Sequence, residues 1–512
     1  MQNRFPFIFK LLILLAILAG FFLFVQMTVD DAYICFRYGY NLFHYGIWNW
    51  NADHELIEAY TSFTYMMLSV IPPLIKVQPQ IVFKIITFFF FLLIIRRIYL
   101  SIHQKYWARL AILIYVSNWQ THVHIYAGLE TTFWFWLLLE IFTLLDKNDF
   151  SNKIQTKLWL FALLLPLTRP EGAIFSAFIF VYIALIKKEK IYFPTLFLFG
   201  SIGVLYFIAR YLYFGLPLPL SFYHKSVGNN LGIWGYVYNT FTIWQYLIGF
   251  FSIFFIAKSH KLFRYSALLS FGIYYVFYGS SALLMNYANR FGFQIFYPII
   301  IFGMIVIFDK LKSDKKIKQS LVAVSIFLIL ITAKGLFSNN IVEISSIKNN
   351  AMFPFAMQKG HIKVGKAIKE IGHKDMKILL GDAGVIPYIG DCKFYDAQGL
   401  ADVYLSKQHI NKAYFDSIKT DLVILVDFTN QVENLKGKTS TMGKIYDFIQ
   451  AEKKHTYIGT LASMPSYNLF FYVRNDSKYK TEIEQQIQKA IIESNNYKFS
   501  SKDFIRMKYL KI

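Results

Sequence analysis

Long apolar runs separated by short polar breaks fill most of the chain up to Leu336. The first extends from Phe5 to Met27, and about 20 such residues are enough to cross a bilayer as a helix. Others lie near Thr61–Ile75, Gln80–Ile95, Trp107–Ile125, Gly128–Leu145, Leu158–Leu167, Ala173–Ile186, Ile191–Phe214, Ile233–Ala257, Tyr265–Met285, Gly292–Phe308 and Gln319–Leu336. With the first they make about twelve candidate spans. From Phe337 to Ile512 the pattern becomes polar and Lys-rich. There Ile362–Ile371 has helical spacing, and Lys377–Leu380 and Leu422–Val426 read as short strands. Thr456–Leu461 and Asn468–Val473 suit an antiparallel pair, and a charged helix starts at Lys480. The pattern predicts a polytopic α-helical membrane domain over residues 1–336. A mixed α/β domain over residues 337–512 follows it.

Composition agrees with a membrane protein: 56% of residues are hydrophobic and 19% aromatic, with a mean hydropathy of +0.40. The first run lacks a small-residue cleavage site and reads as retained rather than as a signal peptide. Arg4 and Lys10 hold its start on the cytoplasmic side, and the basic stretches Lys187–Lys190, Lys258–Arg264 and Asp309–Lys318 behave alike. The C-terminal domain then lies outside. A cytoplasmic start and an external end require an odd number of crossings, about eleven. The weakest candidates are Thr61–Ile75, with Pro72-Pro73, and the short pair flanking Arg169–Gly172. The net charge of +22 belongs to basic loops and to contacts with anionic lipid or phosphate, and no nucleic-acid motif accompanies it. Cys35 and Cys392 both fall on the outer side, and their pairing cannot be read from sequence.

The first outer loop, Thr28 to Tyr60, is dense in polar and aromatic groups. From Asp30 to Phe43 it suits an amphipathic helix at the interface. Asp30, Tyr33 and Arg37, spaced i, i+3 and i+7, share one face, and Asp31 does not. A carboxylate there can take a proton from a hydroxyl, and an arginine can hold phosphate oxygens. Further charges interrupt apolar stretches at Glu130, Arg169, Glu171, Lys225 and Arg290. Singly, each reads equally well as a helix-end or snorkelling residue. Together they repeat a cation beside a polar aromatic loop, for which an anionic headgroup is the simplest ligand. In the C-terminal domain Asp382, Asp396 and Gln398 follow strands, where acceptor contacts and simple turn formation are both open readings.

The run from Asp30 to Asn51, with Glu55–Phe63, resembles the first-loop signature of bacterial GT-C-type membrane glycosyltransferases, close to the terminal arabinofuranosyltransferases. The segments Ala127–Thr131, Leu167–Gly172, Phe214–Lys225, Asn289–Pro298 and Gly381–Asp402 resemble later landmarks of that family, in order. Ala59, Leu220 and Gln398 depart from its usual pattern. The resemblance implies transfer of a sugar from a polyprenyl-phosphate donor to a hydroxyl of a cell-envelope glycan or glycolipid. This would occur on the outer face of a bacterial cytoplasmic membrane. It implies Asp30 as the catalytic carboxylate. Asp31 would be its partner, or a ligand if a divalent cation (Mg or Mn) takes part. Arg37, Arg169, Lys225 and Arg290 would hold the donor phosphate. Tyr33, His44, Glu58, Glu130, Glu171, His224 and Asp382 would support the loop or the acceptor. The competing class is a transporter or flippase of lipid-linked envelope precursors, although no inverted repeat is visible in the sequence.

Overall fold

A computed structural model describes residues 5–53, 55–226, 231–283, 285–310, 347–464 and 467–497. Three described helices are long and apolar enough to cross a membrane: Phe7–Phe24, Phe193–Phe214 and Tyr287–Lys310, or up to five if each of two bent pairs forms one span. The first two are largely exposed and apolar on all sides, as lipid-facing helices are. The third is wholly buried at the centre of the bundle. The expected count of about eleven exceeds this because several apolar runs fold as shorter or broken helices. Thr61–Ile75 splits into Phe63–Leu68 and Ile71–Leu74, and Gln319–Leu336 lies outside the described residues, as does the expected domain boundary.

The breaks position charge. Trp119–Tyr126 and Thr131–Asp146 meet at 115°, across a turn in which Gly128 takes a φ of +81°. A side chain there would be strained. Glu130 stands at this bend. Asn152–Thr168 ends at Arg169, which is extended, as a residue before proline prefers. Within the bundle, Arg97 and Glu140 form a two-pronged ion pair joining Pro79–Ser101 to Thr131–Asp146.

The α/β domain carries a five-stranded sheet: β1 Lys377–Leu380, β2 Lys393–Asp396, β3 Leu422–Asp427, β4 His455–Met464 and β5 Tyr467–Arg474. The order is β2-β1-β3-β5-β4. β1 runs parallel to β2 and β3, and β5 pairs antiparallel with β3 and β4. Strands β1, β3, β4 and β5 and the helices His361–Ile371 and Lys480–Asn495 fall where the apolar pattern places them, whereas β2 has no counterpart in that reading. Cys35 and Cys392 are both buried and free.

The loop helix, Ala32–Tyr45, ends at left-handed Gly46. It packs along the short docking helix Val385–Gly390 of the α/β domain. Arg37 fastens this contact. Its Nε donates to the Trp50 carbonyl at 2.7 Å and its Nη2 to the Cys392 carbonyl at 2.8 Å, while Nη1 donates to the Pro387 carbonyl. Its guanidinium lies 5.0 and 5.1 Å from the ring centroids of Trp50 and Phe394. Asn51 exchanges hydrogen bonds with the Phe394 backbone at 2.9 and 3.1 Å, and Tyr45 donates to Asp391 at 2.8 Å.

Arg37→Ala should therefore lower stability by about 2–5 kcal/mol, because buried carbonyls lose a charged donor. Thermal unfolding in detergent checks this. Arg37→Lys should recover little, since an ammonium lacks the planar fork.

Candidate active site

The two aspartates of the first loop point to different neighbours. The backbone N–H of Val29 donates to the Ala127 carbonyl at 3.0 Å, which ties the loop's start to the bend that carries Glu130. Asp31 takes the N-cap position of the loop helix without a side-chain capping bond.

Asp30 is half-buried and faces the α/β domain. Its Oδ1 accepts from the Val385 N–H at 2.8 Å. Gly384 makes this approach possible, because a Cβ there would sit 2.2 Å from the Asp30 Cγ. Burial pushes the Asp30 carboxyl up to about 7, with Asp382 and Asp31 adding to the rise and His361 and the Val385 N–H opposing it. A carboxyl titrating near neutrality suits a general base.

Asp31 faces the membrane bundle, with one oxygen 3.7 Å from Nη1 of Arg290. Arg290 is buried, and among the described residues its Nε and Nη1 have no hydrogen-bond partner. It sits against the Tyr287 and Phe291 rings, 5.7 and 5.0 Å from their centroids. Just before it, Ala288 and Asn289 adopt left-handed backbone with φ of 46° and 51°, a costly conformation for side-chain residues and one that gathers at functional sites. Buried donors left open beside a carboxylate provide a ready contact for anionic oxygens.

Other expected phosphate ligands are engaged elsewhere. Arg37, expected to meet a donor phosphate, is buried in the domain contact described above. Its shared face with Asp30 and Tyr33 is real, but that face meets the docking segment. Arg169 is buried between two carboxylates: its Nη1 donates to Glu130 at 2.5 Å, its Nε to Glu171 at 2.6 Å, and its Nη2 to the Tyr278 hydroxyl at 3.0 Å. A guanidinium so occupied organises the bundle instead of reaching for a ligand. Glu130 and Glu171 are its counter-charges. Tyr278 also donates to Glu171.

Tyr33 is buried, and its hydroxyl accepts from Gln80 at 3.0 Å. Glu58 forms a buried two-pronged pair with Arg210, a partner that sequence reasoning missed. His44 lies exposed at the far end of the loop helix, with Nδ1 3.0 Å from the Tyr40 carbonyl and its ring stacked on Tyr40. It is not part of the aspartate cluster. The side chains of His224 and Lys225 lie outside the described residues. Asp382 joins the cluster, whereas Asp396 accepts from the Gln398 and Ala401 N–H groups at 2.9 and 2.8 Å, as a turn-former does. Sequence reasoning also missed His361, whose Nε2 lies 2.7 Å from Asp382. Among the described residues no group of three or more His, Cys, Asp or Glu is arranged to hold a metal ion, and no step below is routed through one.

A helical bundle with a carboxylate pair at its mouth, closed over by an α/β domain, defines a polytopic membrane protein of the GT-C fold. The solved structure of ArnT from Cupriavidus metallidurans, bound to undecaprenyl phosphate, is similar with a TM-score of 0.55 at 11% identity. The match covers 92% of this chain and 98% of that one. At this identity the likeness is one of fold. A family model described as a domain of unknown function, DUF8728, matches residues 350–480, the greater part of the α/β domain. No curated protein matches the chain.

Gly384→Ala should displace the Asp30 carboxylate or the turn beside it and cost about 1–3 kcal/mol, read as a lower melting temperature. Arg169→Met should cost about 3–5 kcal/mol by stranding two buried carboxylates. Replacing Glu130 and Glu171 by Gln in the same protein should restore much of that loss in the same melting assay.

Proposed function

We propose that this protein is a membrane glycosyltransferase. It takes a sugar from a polyprenyl-phosphate donor and passes it to a hydroxyl of a cell-envelope glycan or glycolipid at the outer face of a bacterial cytoplasmic membrane. The observation that carries this reading is the Asp31–Arg290 pair: a buried arginine with two nitrogens that lack hydrogen-bond partners among the described residues, beside a second aspartate, in a GT-C fold. The likeness to a protein that binds undecaprenyl phosphate supports the donor class. The first-loop signature supports a hexosyl or pentosyl group carried on that lipid phosphate.

In this reading Asp30 is the general base. It accepts the proton of the acceptor hydroxyl as that oxygen bonds to the anomeric carbon. The bond from that carbon to the phosphate oxygen breaks, and the electron pair leaves on the lipid phosphate. Arg290 meets the developing charge. Asp31 orients Arg290, and Lys225 adds a second cation to the donor site. Arg37 and Arg169 act at one remove by fixing the loop and the bundle.

The test is sugar transfer in proteoliposomes from undecaprenyl-phosphate donors, one carrying a pentose and one a hexose. Asp30→Asn should lower kcat by about 10²–10⁴-fold, and full activity in that variant would sink the assignment. Arg290→Ala should raise the donor KM and lower kcat, as loss of a transition-state phosphate contact does.

The pH dependence follows from the raised carboxyl. A base must be ionised, so kcat/KM should rise with pH through a midpoint near 7 and level off above it. A pH–rate profile of wild type tests this, and a profile flat from pH 5 to about 8 contradicts it.

A further inference from the structure

The α/β domain brings more than a backbone N–H to Asp30. The turn after β1 that presents Gly384 and Val385 also carries Asp382. The Tyr467 hydroxyl donates to both Asp382 oxygens at 2.8 Å, and Nε2 of His361 stands 2.7 Å from Oδ2. Nδ1 of His361 meets Ser463 Oγ at 3.2 Å, and Ser463 in turn donates to the Ala356 carbonyl at 3.0 Å. The Tyr467 ring lies within 15° of parallel to the imidazole, with centroids 6.2 Å apart. His361 is buried at the start of its helix, and both its ring nitrogens are held. It cannot turn away from this position without breaking two contacts.

The groups acting on Asp30 come from both halves of the molecule. Asp31 and Tyr33 belong to its own loop, and His361, Asp382 and Tyr467 to the α/β domain. Among these five, His361 alone can carry positive charge. Burial works against an imidazolium at His361, but the hydrogen bond and charge of Asp382, with Asp30 behind it, outweigh burial and raise its proton affinity. A purely structural clasp between the β1 turn and the edge of the sheet would be served as well by apolar side chains. An imidazole held 2.7 Å from Asp382, in the same turn whose Val385 N–H binds Asp30 at 2.8 Å, does something apolar packing cannot.

We propose that His361, clamped by Asp382, Tyr467 and Ser463, is a positioning residue for Asp30. From the α/β domain it supplies the positive charge that keeps this carboxylate ready to accept a proton. This rests on the transferase reading above. His361 keeps its own proton throughout, and the proton from the acceptor hydroxyl goes to Asp30.

The test compares full-length wild type with His361→Gln, which is neutral, and His361→Lys, which keeps the charge. A water-soluble carbodiimide labels protonated carboxyls, so labelling of Asp30, read by peptide mass spectrometry, falls as pH rises through its midpoint. The midpoint should move upward by about one pH unit in His361→Gln and return in His361→Lys. The low-pH limb of sugar transfer should move with it, with the donor KM unchanged within about twofold.

If the midpoint is the same in the Gln and Lys variants, or if the rate falls at every pH with the limb fixed, His361 is merely structural and the proposal is overturned. If wild type transfers no sugar, the transferase reading fails, and the labelling midpoints alone decide whether His361 sets the charge of Asp30. Should His361→Gln fail to fold, His361→Asn takes its place against His361→Lys.

Discussion

Everything at the mouth of this protein depends on one contact: a face of the loop helix laid against the docking helix of the α/β domain and fastened by Arg37. The guanidinium is buried, its donors spent on the carbonyls of Trp50, Pro387 and Cys392. Those carbonyls come from two parts of the chain far apart in sequence, and neither part can satisfy them alone. Burying a charge is tolerable only when its hydrogen bonds are made, so the contact is held together as a unit. Asp30, about two turns earlier on the same face, thereby comes to rest on the Val385 N–H.

The aspartate pair divides its work by geometry. A single-residue step at the start of the helix turns the two carboxylates to opposite surroundings. Asp30 meets the α/β domain, where burial and neighbouring acids raise its proton affinity. Asp31 meets Arg290 from the buried central helix. In the proposed reaction a base and a counter-ion for a cation need different environments, and the two adjacent aspartates lie in such environments. The bend at Gly128 and the extended Arg169 set the floor beneath them, with Glu130 and Glu171 neutralising a guanidinium deep in the bundle.

Much of this was legible in the chain. Helical periodicity placed Asp30, Tyr33 and Arg37 on one face, and that face is present. The strands Lys377–Leu380 and Leu422–Asp427 and the final hairpin follow apolar runs bounded by polar residues. What periodicity cannot say is which surface a face will meet. Arg37 and Arg169 looked like phosphate ligands because an arginine near a membrane surface has that chemistry. Each is instead held by protein partners, among them the distant Pro387 and Cys392 carbonyls for Arg37 and the Tyr278 hydroxyl for Arg169. Glu58 found Arg210 in a helix otherwise apolar, where a single buried cation called for an acid nearby. His361 carried the weakest signal, a lone histidine opening an amphipathic helix. Its meaning comes only from the turn after β1, which the fold sets beside it.

The Arg37 clasp also has a consequence for how the molecule comes into being. Arg37 is synthesised 350 residues before the Pro387 carbonyl that it binds. Contacts so distant along the chain form late and slowly. Throughout synthesis of the bundle, the first loop must wait without the Pro387 and Cys392 carbonyls for its cation and with an undocked aspartate. A chain interrupted before the α/β domain would have a membrane bundle with no finished mouth. The clasp thus makes the mouth conditional on the α/β domain, because Asp30 reaches the Val385 N–H only in a molecule in which that domain has folded.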